Sequence, residues 1–142
     1  MKLTVIFCLL LIATACNNEP KKIEEQKKGV PENLIEYKNG IYTEYYPGRK
    51  KVKMTGAQDN KKVRNGKWVY LSEKGEEMCV SFYEKGMLEG HMIVKHPNGT
   101  INYVGEFLHG DQIGVWKFYN DQGKLIREED YSQTPVKVTN FK

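Results

Sequence analysis

Residues 114–125 read GVWKFYNDQGKL, and this stretch decides the fold. Between 115 and 119, Trp116 and Phe118 fall on one side of an extended chain, with Val115, Lys117 and Tyr119 on the other. That is the period-two pattern of a strand. Asp121-Gln122-Gly123 then closes a turn, because glycine takes the left-handed conformation that a three- to five-residue hairpin loop with a bulge requires. The chain resumes at Leu125 as a return strand. One β-hairpin is therefore written into two dozen residues.

The same signals recur outward from it. Gly40, Gly66, Gly90 and Gly114 lie 26, 24 and 24 residues apart, and two places after each stands a large side chain, Tyr42, Trp68, Met92 and Trp116. Nine places after the last three come Gly75, Gly99 and Gly123; in the first unit Gly48 comes one place early. Tyr83-Glu-Lys-Gly86 and Phe107-Leu-His-Gly110 add an aromatic with glycine three residues later. Several positions repeating in register mark an internal repeat.

First strands are predicted at 67–71, 91–95 and 115–119, and return strands at 77–83, 101–107 and 125–131. Trp68/Tyr70, Met92/Val94 and Trp116/Phe118 share one face, joined by Ile101, Tyr103 and Phe107 and by Leu125 and Tyr131. The return strand of the second unit, 77–83, is apolar on both sides (Met78, Val80 and Phe82 against Cys79 and Tyr83), which predicts a central strand covered on both faces. The first unit, with a shortened turn at Pro47-Gly48 and a polar segment over 58–64, is expected to cap the array. In the tail, 132–142, Val136, Val138 and Phe141 alternate as an added edge strand would. A lone hairpin is marginal in water, whereas three or more strands sharing an apolar face are not. The expected fold is thus all-β, an antiparallel meander of about four stacked β-hairpins forming one elongated sheet.

The first residues carry a different grammar. Lys2 precedes an apolar run over 3–12 broken only by Thr4, then come Ala13, Thr14, Ala15 and Cys16. This reads as an export signal, too short for the roughly 20 residues that span a bilayer as a helix. Small-small-small-Cys resembles the bacterial lipobox, although Ala13 stands where that pattern prefers Leu. The resemblance implies that Cys16 receives a diacylglycerol thioether and becomes the mature N-terminus. Asn17 is not the aspartate that resembles an inner-membrane retention signal, which favours an outer-membrane destination where the host has one. The expected organisation is a lipoprotein signal peptide over 1–15, lipidated Cys16 and a flexible tether over 16–36, the hairpin array over 37–131, and the tail. Residues 17–36 hold no aromatic side chain, and such a composition buries too little apolar surface to offset chain entropy. With Cys8 in the signal and Cys16 acylated, Cys79 is the sole remaining thiol, expected as a buried strand residue.

The unit G-x-W-x-x-Y-x-x-x-G, followed by aromatic-x-x-G, resembles the MORN-repeat variant of the bacterial YwqK-like family. The run from Gly114 to Leu125 carries the resemblance best and that from Gly66 to Gly75 next; the third unit departs at Met92 and the first at Tyr42 and its early glycine. The resemblance covers about 38–131. It implies the stacked-hairpin architecture. Members are often labelled antitoxin components, and MORN arrays elsewhere are associated with membranes or protein partners. Fold does not fix function.

Catalytic constellations are not legible. His91 and His96 lie five apart on a strand and point to opposite faces; neither they nor His109 has a Cys pair or paired carboxylate at metal-ligand spacing. Ser72, Ser81 and Ser132 lack a nucleophile elbow, and Glu76-Glu77 and Glu128-Glu129-Asp130 read as solvated strand ends. Neither enzymatic activity, metal nor cofactor is expected. Residues 49–67 carry a net +7, whereas 68–131 carry −5. Lys50, Lys51, Lys53, Lys61, Lys62 and Arg64 are therefore candidate contacts to anionic head groups or an acidic partner, or a guard against edge aggregation. Export and the acidic half argue against nucleic acid. Tyr45, Tyr46, Tyr103 and Tyr119 are candidate exposed contacts, since aromatics are enriched at interfaces. The expected function is that of a non-catalytic, lipid-anchored envelope protein whose sheet binds a protein partner. The alternatives are an antitoxin or immunity protein that neutralises a toxin, and a module for membrane head groups or glycans.

Overall fold

Two kinds of glycine turn recur along the chain and, with a glycine-free turn over 59–63 in which Lys62 takes positive φ, fold it into a meander. In the longer kind, the Ser72 N–H donates to the Glu76 carbonyl (2.8 Å) and the Gly75 N–H to the Ser72 carbonyl (2.9 Å). His96, Gly99 and Thr100 repeat this pair of bonds, as do Asn120, Gly123 and Lys124. The shorter kind uses two residues with positive φ, Asn39-Gly40, Lys85-Gly86 and His109-Gly110, the geometry that matches the right-handed twist of flanking strands. The computed structural model describes residues 34–142. The expected signal, Cys16 and most of the tether lie outside the described residues.

The strands are β1 (Ile35–Lys38), β2 (Ile41–Tyr45), β3 (Val52–Gln58), β4 (Arg64–Leu71), β5 (Glu77–Glu84) and β6 (Met87–Leu88). They continue as β7 (Gly90–Lys95), β8 (Ile101–Leu108), β9 (Asp111–Tyr119), β10 (Leu125–Asp130) and β11 (Lys137–Asn140). All belong to one antiparallel sheet in the order β1-β2-β3-β4-β5-β7-β8-β9-β10-β11, with short β6 beside β5. The all-β hairpin meander read from the sequence is the observed fold, and the tail adds the edge strand β11 against β10.

Several finer expectations are revised. Ile35 and Glu36, assigned to the tether, pair with Glu44 and Thr43 inside the sheet. β4 and β9 do not begin after Gly66 and Gly114 but run through them. Both glycines have positive φ (70° and 61°), and both lie opposite a register slip, as a bulge demands. The first-unit turn is longer rather than shorter: the Tyr46 N–H reaches past one extra residue to the Lys51 carbonyl. Ile101 does not face inward. A slip between Val94 and Lys95 pairs it with Lys95 and leaves it 41% exposed.

A single-layer sheet needs a way to make a core without a second layer, and the register shows it. On one face Tyr42, Gly56, Trp68 and Ser81 form a continuous cross-strand row, and farther along Met92 pairs with Gly105 and Trp116 with Glu129. Large side chains alternate with small ones, so each ring can lie flat over its neighbour's backbone. Trp68 is fully buried and Trp116 only 3% exposed. A second row, Glu44-Met54-Tyr70-Cys79-Val94-Tyr103-Phe118-Arg127, runs beside the first on the same face.

Candidate interaction surface

The aromatic face closes upon itself. Trp68 touches Tyr42 (ring centroids 5.4 Å) and Tyr83 edge-on (6.1 Å). The Arg64 guanidinium stacks 4.2 Å above the indole and donates through Nη1 to the hydroxyls of Tyr70 (2.8 Å) and Tyr83 (3.0 Å). Around Trp116 the same part is played by Tyr103, Phe107 and Tyr131, at 6.0, 5.0 and 6.1 Å, and Arg127 stacks on Phe118 at 4.0 Å. Both indoles lie over a glycine. A Cβ on Gly56 or Gly105 would sit inside the ring atoms of Trp68 or Trp116.

This packing also takes in a charge. Glu44 is 2% exposed, and its carboxylate accepts from Lys53 Nζ (2.7 Å) and from the Tyr42 hydroxyl (3.1 Å). Burial, followed by the hydrogen bond to Glu44, pushes the Tyr42 phenol up to about 12. Burial raises the Tyr103 phenol and the Cys79 thiol as well. Cys79 lies on β5 between Tyr70 and Val94 as a strand residue, but it is only half-buried rather than buried as expected.

The opposite face has no such closure. Thr43, Thr55, Val69, Val80, Ile93, Val104, Lys117, Glu128 and Thr139 form one unbroken row of paired residues from β2 to β11. Its four central members are β-branched and apolar. Beside them lies a groove of about 470 Å³ whose apolar walls include Phe82, Ile93, Val104, Ile113 and Val115. Phe82 is 40% and Val115 47% exposed. At the rim, His91 Nδ1 lies 3.8 Å from Glu106 Oε1, and Lys117 Nζ 4.0 Å from Glu128. The expectation that β5 is covered on both faces is therefore corrected: β5 is central in the strand order, yet no layer covers its second face among the described residues.

The sequence-predicted contacts distribute differently. The six bases do not form one patch. Lys50 and Lys51 lie by the β2–β3 turn, and Lys61 and Lys62 in the β3–β4 turn, at opposite ends of β3; seven residues of strand separate those ends by roughly 20 Å. Lys53 is engaged by Glu44, Lys62 lies 4.8 Å from the Tyr37 ring centre, and Arg64 is built into the aromatic face. None of the four tyrosines is exposed. The Tyr45 hydroxyl donates to Glu36 and that of Tyr46 to the Leu71 carbonyl; Tyr103 packs between Trp116 and Phe118; the Tyr119 carbonyl meets His96 Nε2 at 2.9 Å. His91 projects from the open face, while His109 lies 3.4 Å from Glu89. Among the described residues no group of three or more His, Cys, Asp or Glu is arranged to hold a metal ion.

Sequence reading missed the row from Val69 to Val104, because its members are scattered one per strand and adjoin only once register is known. It also missed Gly56 and Gly105. Their signal was a glycine eleven or twelve places before each tryptophan.

No family model matches this chain, and no curated protein matches it. Among solved structures, it is similar to a chain of accessory secretory protein 1, 2 and 3 from Streptococcus pneumoniae, with 15% sequence identity and a TM-score of 0.40. The match covers 79% of this chain and 21% of that one.

Proposed function

We propose that this protein is a non-catalytic, lipid-anchored envelope protein whose sheet is a protein-interaction module, and that the open face is the part that binds. One observation carries the reading: the apolar row Val69-Val80-Ile93-Val104 and its adjoining groove stay uncovered, although the other face of the same sheet is sealed by its own rings. Exposed contiguous apolar surface marks interaction sites on soluble proteins. The anchoring part rests on the lipobox resemblance at Cys16. Lipidation contributes about 0.8 kcal/mol per buried CH₂, so a diacylglyceryl group holds the array stably at a membrane.

The anchor is tested by growing cells on a radioactive fatty acid and comparing wild type with Cys16→Ala. Label is expected in the first and absent in the second; equal labelling overturns the anchor. The binding face is tested by recovering the full-length protein from envelopes. A Val104→Asp variant is expected to lose whatever wild type brings with it, and undiminished recovery counts against the face.

A further inference from the structure

The uncovered face is nearly its own complement. Its central row reads Thr43-Thr55-Val69-Val80 on one side of the midline between β5 and β7, and Ile93-Val104-Lys117-Glu128 on the other. Reversing the strand order sets Val80 against Ile93 and Val69 against Val104. It also sets Thr55 against Lys117 and Thr43 against Glu128. In the neighbouring row, Lys67 on β4 pairs with Phe82, and Glu106 on β8 pairs with His91. β4 and β8 are equally far from that midline, so reversal sets Lys67 against Glu106.

We infer that the occupant of the open face is a second copy of this chain, packed face to face about a two-fold axis that runs parallel to the strands. The inference rests on the reading of this face as an interaction surface and names its partner. Sheets stacked in this way lie about 10 Å apart with their side chains interleaved. Phe82 of the second copy then projects toward the groove between β7 and β8.

Charge fits the two-fold: with the strand order reversed, Lys67 of each copy faces Glu106 of the other, so two opposite-charge contacts form at once. Area agrees as well. The ten strands along the sheet's path, at about 4.8 Å apart and each showing about five residues at 3.3 Å, present roughly 800 Å² of sheet, matching the roughly 800 Å² that each partner contributes to a stable interface. A C2 contact of this kind is closed, because both copies use the same face.

The test is a charge swap in the full-length chain. Lys67 and Glu106 have side chains 55% and 46% exposed, so exchanging their charges leaves the packing intact. Each chain carries a photo-activatable benzophenone amino acid at Val115 on the open face, and isolated envelopes are illuminated, so the read-out does not depend on the lysines exchanged. Wild type is expected to give a dimer band; Lys67→Glu, which sets two carboxylates together at each of two symmetric contacts, to lower it about tenfold; and Lys67→Glu with Glu106→Lys to restore it. A wild-type chain that stays monomeric, or a dimer indifferent to the single swap, overturns the inference. Wild type linked through this face to a different protein overturns the inference and leaves the interaction reading standing. The absence of any adduct removes both.

Discussion

The indole of Trp68 lies across the backbone of Gly56 and occupies the space that a side chain there would take. Forty-eight residues later Trp116 does the same over Gly105. These two relationships explain how an open sheet with one layer hides its tryptophans: the covering atoms come from neighbouring strands and not from a second sheet.

Gly56→Ala and Gly105→Ala should therefore each lift an indole off the sheet. Overpacking of this kind costs about 2–3 kcal/mol, and for a folded part of this size each kcal/mol moves Tm by about 4–8 °C. Thermal unfolding should show a fall of about 10 °C or more in either variant, with weakened near-ultraviolet tryptophan dichroism. A shift of only a degree or two would mean that the rings do not lie over the glycines.

The two tryptophans differ at one atom. Trp68 Nε1 donates to the Ala57 carbonyl at 3.0 Å, whereas Trp116 Nε1 is buried without an acceptor among the described residues. Phenylalanine at position 68 gives up ring area and a hydrogen bond; at 116 it gives up ring area and relieves an unpaired donor. Denaturant unfolding should find Trp68→Phe more costly than Trp116→Phe by about 1–2 kcal/mol. Equal costs would contradict the difference in bonding.

Lys53 is the cation that meets buried Glu44, but its own side chain is 46% exposed. Removing it leaves the carboxylate with the Tyr42 hydroxyl alone. Lys53→Met should lose about 1–2 kcal/mol, less than a fully buried pair would, and adding Glu44→Gln to it should recover part of the loss. A double variant weaker than the single would refute this pairing.

Tyr42 gives a pH signature. Its phenol is raised in the fold from an ordinary 10.0 to about 12, so the unfolded chain releases this proton first. Its contribution is fully present below pH 10 and declines as pH rises toward 12. Stability should fall across that window, and Tyr42→Phe should flatten the fall. Absorbance titration of tyrosinate should show a late step that this variant lacks.

Much of the fold was legible because strands and turns are local. Alternation around Trp116 and the glycines after each first strand name their own hairpins, and the tail's alternation names β11. What escaped is non-local. The slip between Val94 and Lys95 that turns Ile101 outward depends on pairing, as does the bulge that carries β4 through Gly66. The site was less legible than the fold. Tyr45 and Tyr46 look like exposed contacts until their hydroxyls are seen bonded to Glu36 and Leu71, and the basic residues look contiguous until β3 separates them. Val69, Val80, Ile93 and Val104 look unremarkable along the chain, since each is the ordinary β-branched residue of its own strand.

The central claim is that the two faces differ in function, one sealed and one binding. A photo-activatable benzophenone amino acid placed in the full-length protein tests it directly, at Val115 on the open face and at Tyr37 on the aromatic face, both exposed at 47% and 52%. After illumination of intact cells, high-mass adducts should form from position 115 and be scarce from position 37. Adducts absent at 115, or equally abundant from both positions, would contradict the account.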